Sequence, residues 1–343
     1  MITRELREAI GRAVAVSGLA PAEPGLRPAG GPGRYASSVA FELGENPREI
    51  AGRLASWLAR EPWIAQADVT GPGYLTITVT PGTLTALADR IAEAGPASAS
   101  SDALRGVTLP APPAADPLAA ATWEEARAAL AAELTARLAA AAGATLSAPD
   151  WPERTVAPPQ PTSPSPAAGV TRFRSEEERG AAPAAAVAFA GPDAVRFALA
   201  RAVPGRPVLI DPEIIARHLP DNPAYAVRYA HARAASGVRW AATPGGAEAV
   251  PRRPPADPGE RVLLDALSWL PERVAVAARR GRPDEFARYL EELASVTIAT
   301  LSSPGYPGSA RAPGSDRLAL ARAAQAGLAA GLELLGVSAP DRM

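Results

Sequence analysis

Apolar residues return at helical spacing from the start of the chain, where Ile2, Leu6, Ile10 and Val14 fall on one face of a helix over residues 2–16. A loop rich in Gly and Pro follows from Pro21 to Gly33. The period then shortens. Tyr35, Val39 and Phe41 occupy alternate positions of a strand predicted from Tyr35 to Leu43. Gly44-Glu45-Asn46-Pro47 turns the chain into a second helix, with Asn46 as its cap and Pro47 in its first turn; Ile50, Leu54, Trp57 and Leu58 form its buried face. Two strands, Ile64 to Thr70 and Tyr74 to Val79, flank the breaker Gly71-Pro72-Gly73, and a helix from about Thr83 to Glu93 closes the unit. Mixed periods within residues 1–95 predict a small α+β domain.

Beyond it the pattern changes. Residues 96–186 are rich in Ala, Pro and Ser, with one helical stretch, Trp123 to Ala142, that places Leu130, Leu134 and Leu138 together. Asp150 to Gly169 holds six prolines, which predicts an extended linker and two ends that fold as separate bodies. Residues 187–343 read as an all-helical region, with Asn222 to Trp240 ended by the breakers Thr243 to Gly246, then Arg261 to Trp269, a segment opened by Pro271 and closed by Gly281, Asp284 to Leu301, a loop S-S-P-G-Y-P-G-S, and Asp316 to Leu335. The expected architecture is an α+β N-terminal domain joined by a Pro/Ala-rich middle region to an all-α C-terminal helical bundle.

Composition narrows the chemistry. The chain has 343 residues and a formal charge of −1, so a nucleic-acid site would have to be a local patch and not a global field. All 35 basic residues are arginine, which excludes lysine chemistry, and the absence of cysteine excludes disulfides, thiolate ligands and thiol nucleophiles. With His218 and His231 as the only histidines, a histidine-rich metal site is excluded too. The charged, amphipathic start does not read as a signal peptide and no apolar run is long enough for a membrane span, so the expected location is cytoplasmic.

The stretch N-P-A-Y-A-V-R-Y-A-H-A-R-A-A-S-G-V-R-W, Asn222 to Trp240, sorts into two stripes. Tyr225, Tyr229, Arg233, Ser236 and Trp240 make an aromatic and basic face; Ala226, Ala230, Ala234 and Gly237 make a narrow one that admits a neighbouring helix. An aromatic stripe is commonly packing surface. Rings interleaved with arginine are also what stacks on unpaired bases and meets phosphates. Periodicity leaves both readings open.

The wording of this stretch resembles the opening helix of the anticodon-binding domain in arginyl-tRNA synthetases, N-P-V-Y-Y-V-Q-Y-A-H-A-R, with departures at Ala226 and Arg228. The chain's last segment, R-L-A-L-A-R-A…G-L-E-L-L-G-V-S-A-P-D-R-M, resembles the end of the same domain down to Met343. Y-A-S-S-V-A-F-E-L, N-P-R-E-I-A and V-T-G-P-G-Y-L-T-I resemble the family's appended N-terminal domain, which touches the tRNA elbow; Ser38 and Thr76 stand where the family places amides. A-D-P-L-A-A-A-T-W is similar to the family's G-P-L-H-V-G-H, with Ala119 and Thr122 at the positions of the two imidazoles that attend the ATP phosphates and Ala121 at that of the glycine. An ordinary Ala-rich helix behind a linker explains the same residues. Thr297, Ile298 and Thr300 replace aromatic and Asn residues that border the family's anticodon pocket.

The resemblance implies tRNA contacts at Tyr225, Tyr229, Arg233, Arg239 and Met343, with no catalytic residue, cofactor or metal ligand emerging from the chain. The expected function is that of a synthetase-like protein without a competent catalytic core, partnered by tRNA, arginine tRNA among the candidates, or by a cellular aminoacyl-tRNA synthetase. The alternatives are a protein-interaction module that has lost tRNA binding, and an arginine–tRNA ligase of unusual build.

Overall fold

The computed structural model describes residues 2–112, 115–147, 182–241, 257–302 and 315–343, apart from the side chains of residues 315 and 316. The Pro-rich tract, the breakers after Trp240 and the loop after Ser302 lie outside these residues, so the linker expectation rests on sequence alone.

Helix α1 (Ile2–Val16) buries Ile2, Leu6, Ile10 and Val14, as their spacing predicts. It leads to an antiparallel sheet in the order β1 (Leu26–Pro28), β2 (Arg34–Ser37), β4 (Tyr74–Val79), β3 (Ile64–Thr70). Tyr35 pairs with Ile77 and Ser37 with Leu75, which puts four buried side chains in one layer. Helices α2 (Pro47–Leu58) and α3 (Pro81–Ala94) complete this unit. The strand expected to reach Leu43 stops at Ser37. The Ser37 hydroxyl accepts the Val39 amide at 3.2 Å, and the chain turns into a 3₁₀ segment, Val39–Phe41. A local side-chain acceptor outcompetes the ladder there. Asn46 likewise makes no capping bond; its amide donates to Glu49 Oε2 at 3.0 Å.

The middle region is more than a tether. β5 (Thr108–Pro110) and β6 (Thr145–Ser147) pair in parallel, joined by a connection that contains α4 (Trp123–Ala141). Parallel neighbours require a crossover of this kind. Leu130, Leu134 and Leu138 of α4 are fully buried in the common core.

The C-terminal part is helical: α5 (Pro183–Ala190), α6 (Pro192–Arg201), the single turn α7 (Pro212–Ile215), α8 (Pro223–Ala241), α9 (Pro258–Ser268), α10 (Leu270–Arg280), α11 (Pro283–Leu301) and α12 (Ser315–Leu334). α8 packs its Val227, Ala230, Ala234 and Gly237 face inward, against α11 and α12. Gly281 closes α10 in the left-handed conformation, φ 61° and ψ 35°, where a side chain would be strained.

The two ends do not stand apart. One apolar core runs from α1 through α4 to α12. Across the seam, the Thr3 hydroxyl donates to the Ser268 carbonyl at 2.9 Å, the Tyr35 and Ser268 hydroxyls meet at 2.8 Å, and the Gly33 amide donates to Asp265 Oδ1 at 2.9 Å. Arg7 grips Glu272 with two bonds of 2.7 Å and reaches Glu23 at 2.5 Å, while Tyr35 lies against Trp269 with ring centroids 5.2 Å apart. Burial raises the Asp265 carboxyl above its ordinary range, the Gly33 amide opposing it, and burial likewise pushes the Tyr35 phenol upward. The expectation of two bodies with few contacts therefore gives way to a single one, because the N-terminal unit and the bundle each present an apolar face with matching polar groups.

Candidate nucleic-acid interface

The predicted stripe is built on the start of α8. Asn222 is buried, and its Oδ1 accepts the Ala224 amide at 3.2 Å, which makes it the cap that the sequence predicts. Its Nδ2 does something the sequence does not announce. It donates to the carbonyls of Ile215 and Arg217, both at 2.7 Å, and so fastens the preceding turn to the helix.

That fastening brings His218 onto the stripe. The imidazole stacks on Tyr225 with centroids 5.5 Å apart and planes 15° from parallel, and Tyr225 stacks on Tyr229 at 5.7 Å and 13°. Three rings form a staircase. His218 is exposed, Tyr225 half-buried and Tyr229 38% exposed. Sequence reasoning picked the two tyrosines from their spacing of four. It missed His218, which lies on a connection whose path depends on the Asn222 side chain.

The arginines are engaged as well as displayed. Arg233 is half-buried and donates to the Leu301 carbonyl at 3.1 Å; Arg239 is exposed and donates to the Asp341 carbonyl at 2.7 Å. His231 is buried, and its Nδ1 lies 2.9 Å from the Pro340 carbonyl and donates to it, since that oxygen can only accept. Arg228 meets Asp193 at 3.2 Å and the Ser338 hydroxyl at 3.1 Å. These side chains lay the last residues of the chain along α8. Met343 is exposed beyond them. The structure thus gathers Tyr225, Tyr229 and Arg233 on one face and ties Arg239 to the tail that carries Met343.

A second exposed aromatic pair, Phe41 and Tyr74, sits on the N-terminal unit with centroids 4.8 Å apart. Thr76 beside it is buried, and its hydroxyl lies 2.9 Å from that of Thr70, so a neighbouring side chain already engages the group that would meet a base edge. Thr297 and Thr300 are buried too, bonded to the Leu293 and Gly259 carbonyls.

At the β5–α4 junction, Ala119 is exposed in a 3₁₀ turn, and Thr122 caps α4. The Thr122 hydroxyl accepts the Glu125 amide at 3.2 Å, and Glu125 Oε2 accepts the Thr122 amide at 3.1 Å. With Glu124 beside it, this helix start already carries two carboxylates, which satisfy its dipole and oppose a phosphate. Among the described residues no cluster of three or more His, Asp or Glu could hold a metal ion, and no helix is long and apolar enough to cross a membrane.

Comparison with known proteins matches residues 2–79 to the family described as the arginyl tRNA synthetase N terminal domain and residues 227–343 to the DALR anticodon binding domain. The chain is similar to proteins named arginine–tRNA ligase: 38% identical over 162 residues to that of Paenarthrobacter aurescens strain TC1, covering 46% of this chain and 30% of that protein. Against the ligase of Kineococcus radiotolerans it is 39% identical over 163 residues, covering 45% of this chain and 29% of the relative. The aligned part thus spans under a third of the length of these relatives. The fold is shared with the solved Thermus thermophilus arginyl-tRNA synthetase, at a TM-score of 0.64, 16% identity and full coverage of both chains.

Proposed function

Since the chain belongs to the arginyl-tRNA synthetase family through its N-terminal and DALR domains, we propose that it is a tRNA-binding module that does not itself activate arginine. The observation that carries the reading is the exposed staircase on α8, where the Tyr225–Tyr229 stack shares a helix with Arg233 and Arg239. Flat rings at the surface suit unpaired bases, and guanidinium groups suit the phosphates between them. Arginine tRNA is the first candidate partner.

Arginine activation asks for groups that the β5–α4 junction does not supply. Adenylation builds negative charge on the ATP phosphates and needs cationic or N–H donors aimed there. At the junction similar to the family's signature, Ala119 and Thr122 supply no imidazole, and Glu124 and Glu125 present charge of the wrong sign. Lysine is absent throughout.

A competing reading, a protein-interaction module docked to a synthetase, draws on the buried Thr76, already bonded to Thr70, and on the carbonyl bonds that occupy Arg233 and Arg239. An electrophoretic shift with purified tRNA separates the two. The expected result is a shifted band that Tyr229→Ala weakens about tenfold, within the range for loss of a stacked base. No shift would favour the interaction module. Arginine-dependent ATP–pyrophosphate exchange above background would overturn the non-catalytic half.

A further inference from the structure

The staircase ends on a residue that neither its helix stripe nor the family wording points to. We infer that His218 is a base-stacking residue, its imidazole receiving an unpaired nucleobase of bound RNA; the inference rests on the tRNA-binding reading above. The ring planes are within 15° of parallel while their centroids are 5.5 and 5.7 Å apart. Parallel rings at that separation are offset, so each step leaves part of a face open. Tyr225 has a ring on either side and is the closed middle step. The open ends are Tyr229 and His218, both exposed.

A stacking platform works best when it is already ordered, because less freedom is lost on binding. His218 meets that condition although it lies outside any helix. The two bonds from Asn222 Nδ2 fix the carbonyls of Ile215 and Arg217 just before it, and Tyr225 supports its ring. The occupant is a nucleobase and not a protein side chain on grounds of charge. α8 carries Arg233 and Arg239, which donate to neutral carbonyls, with no acidic residue along its length, and Arg217, next to His218, is exposed. A planar, uncharged group linked to phosphates answers that combination.

The test uses the full chain with a tRNA transcript and with a short single-stranded RNA carrying 2-aminopurine, whose fluorescence is quenched on stacking. His218→Ala should weaken binding of the single strand about fivefold or more and relieve the quenching, while His218→Phe keeps both, since a phenyl ring offers the same face. Tyr229→Ala serves as the companion, and circular dichroism checks that each variant is folded. If His218→Ala matches the wild type in affinity and quenching while Tyr229→Ala does not, His218 is no platform and the tRNA-binding reading stands without it. If the wild-type chain binds neither RNA, both are overturned.

Discussion

Removing Arg7 should weaken the seam between the N-terminal unit and the bundle without parting them, and the size of the effect can be worked from the geometry. The Arg7 side chain is 12% exposed and its partner Glu272 5%, with two bonds of 2.7 Å between them. Arg7→Ala strands the Glu272 carboxylate, and leaving one partner of a buried pair uncompensated costs about 3–5 kcal/mol. The lower end applies, because water can reach the vacated stem of Arg7. Glu23, the second partner, is 38% exposed and regains water, so it adds little. The expected loss is therefore about 3 kcal/mol, a fall of several degrees in melting temperature for a chain of this size. The double variant Arg7→Met/Glu272→Leu removes both charges and should cost far less, since apolar replacement of a buried pair is often nearly neutral. Urea denaturation of the wild type, Arg7→Met, Glu272→Leu and the double variant closes a double-mutant cycle, and a coupling of about 2 kcal/mol or more is expected. All four should unfold in one transition. Two defeats are open. Arg7→Ala could sit within about 1 kcal/mol of wild type, the range of an exposed pair, or the N-terminal unit could melt first and alone. Either would mean that the seam is not part of one cooperative core.

Two further outcomes follow from the same seam and its hairpin. Asp265 holds its proton more tightly folded than unfolded, so its stabilising contribution is complete below the ordinary value of 3.8 and is lost as pH rises through the raised one. Asp265→Asn, which can still accept the Gly33 amide, should be more stable than wild type at neutral pH, with the advantage fading as the pH is lowered; denaturation midpoints at neutral and acidic pH measure it, and a less stable variant at neutral pH would contradict it. Gly73 joins β3 to β4 at φ 149°, and a Cβ there would lie 2.6 Å from Pro47 Cβ and 2.9 Å from its carbonyl carbon. Backbone cannot yield as a side chain does, so Gly73→Ala should lose about 1–3 kcal/mol; an unchanged melting temperature would show that the hairpin and α2 move apart freely.

Much of the fold was legible in the order of residues. The faces of α1, α4 and α8 follow from apolar spacing, and Asn222-Pro223 announces the start of α8 because a cap and a missing N–H are local chemistry. The stripe of Tyr225, Tyr229 and Arg233 was legible for the same reason, and so was the resemblance to arginyl-tRNA synthetases. Local competition was harder to see. The Ser37 hydroxyl ends a strand that alternation carries to Leu43, since periodicity records burial and not where an amide finds its acceptor.

Only the tertiary structure decided how the parts meet. Thr3 and Arg7 find Ser268 and Glu272 across 265 positions, and Tyr35 finds Ser268 across 233. A single sequence marks each of these as a polar residue near an apolar face and says nothing of the partner. His218 is the same case at shorter range. Its place in the ring staircase depends on two bonds from a side chain that the sequence identifies only as a cap. Periodicity tells which face of an element is apolar; which other face covers it, and which polar groups close the seam, is settled by packing in three dimensions.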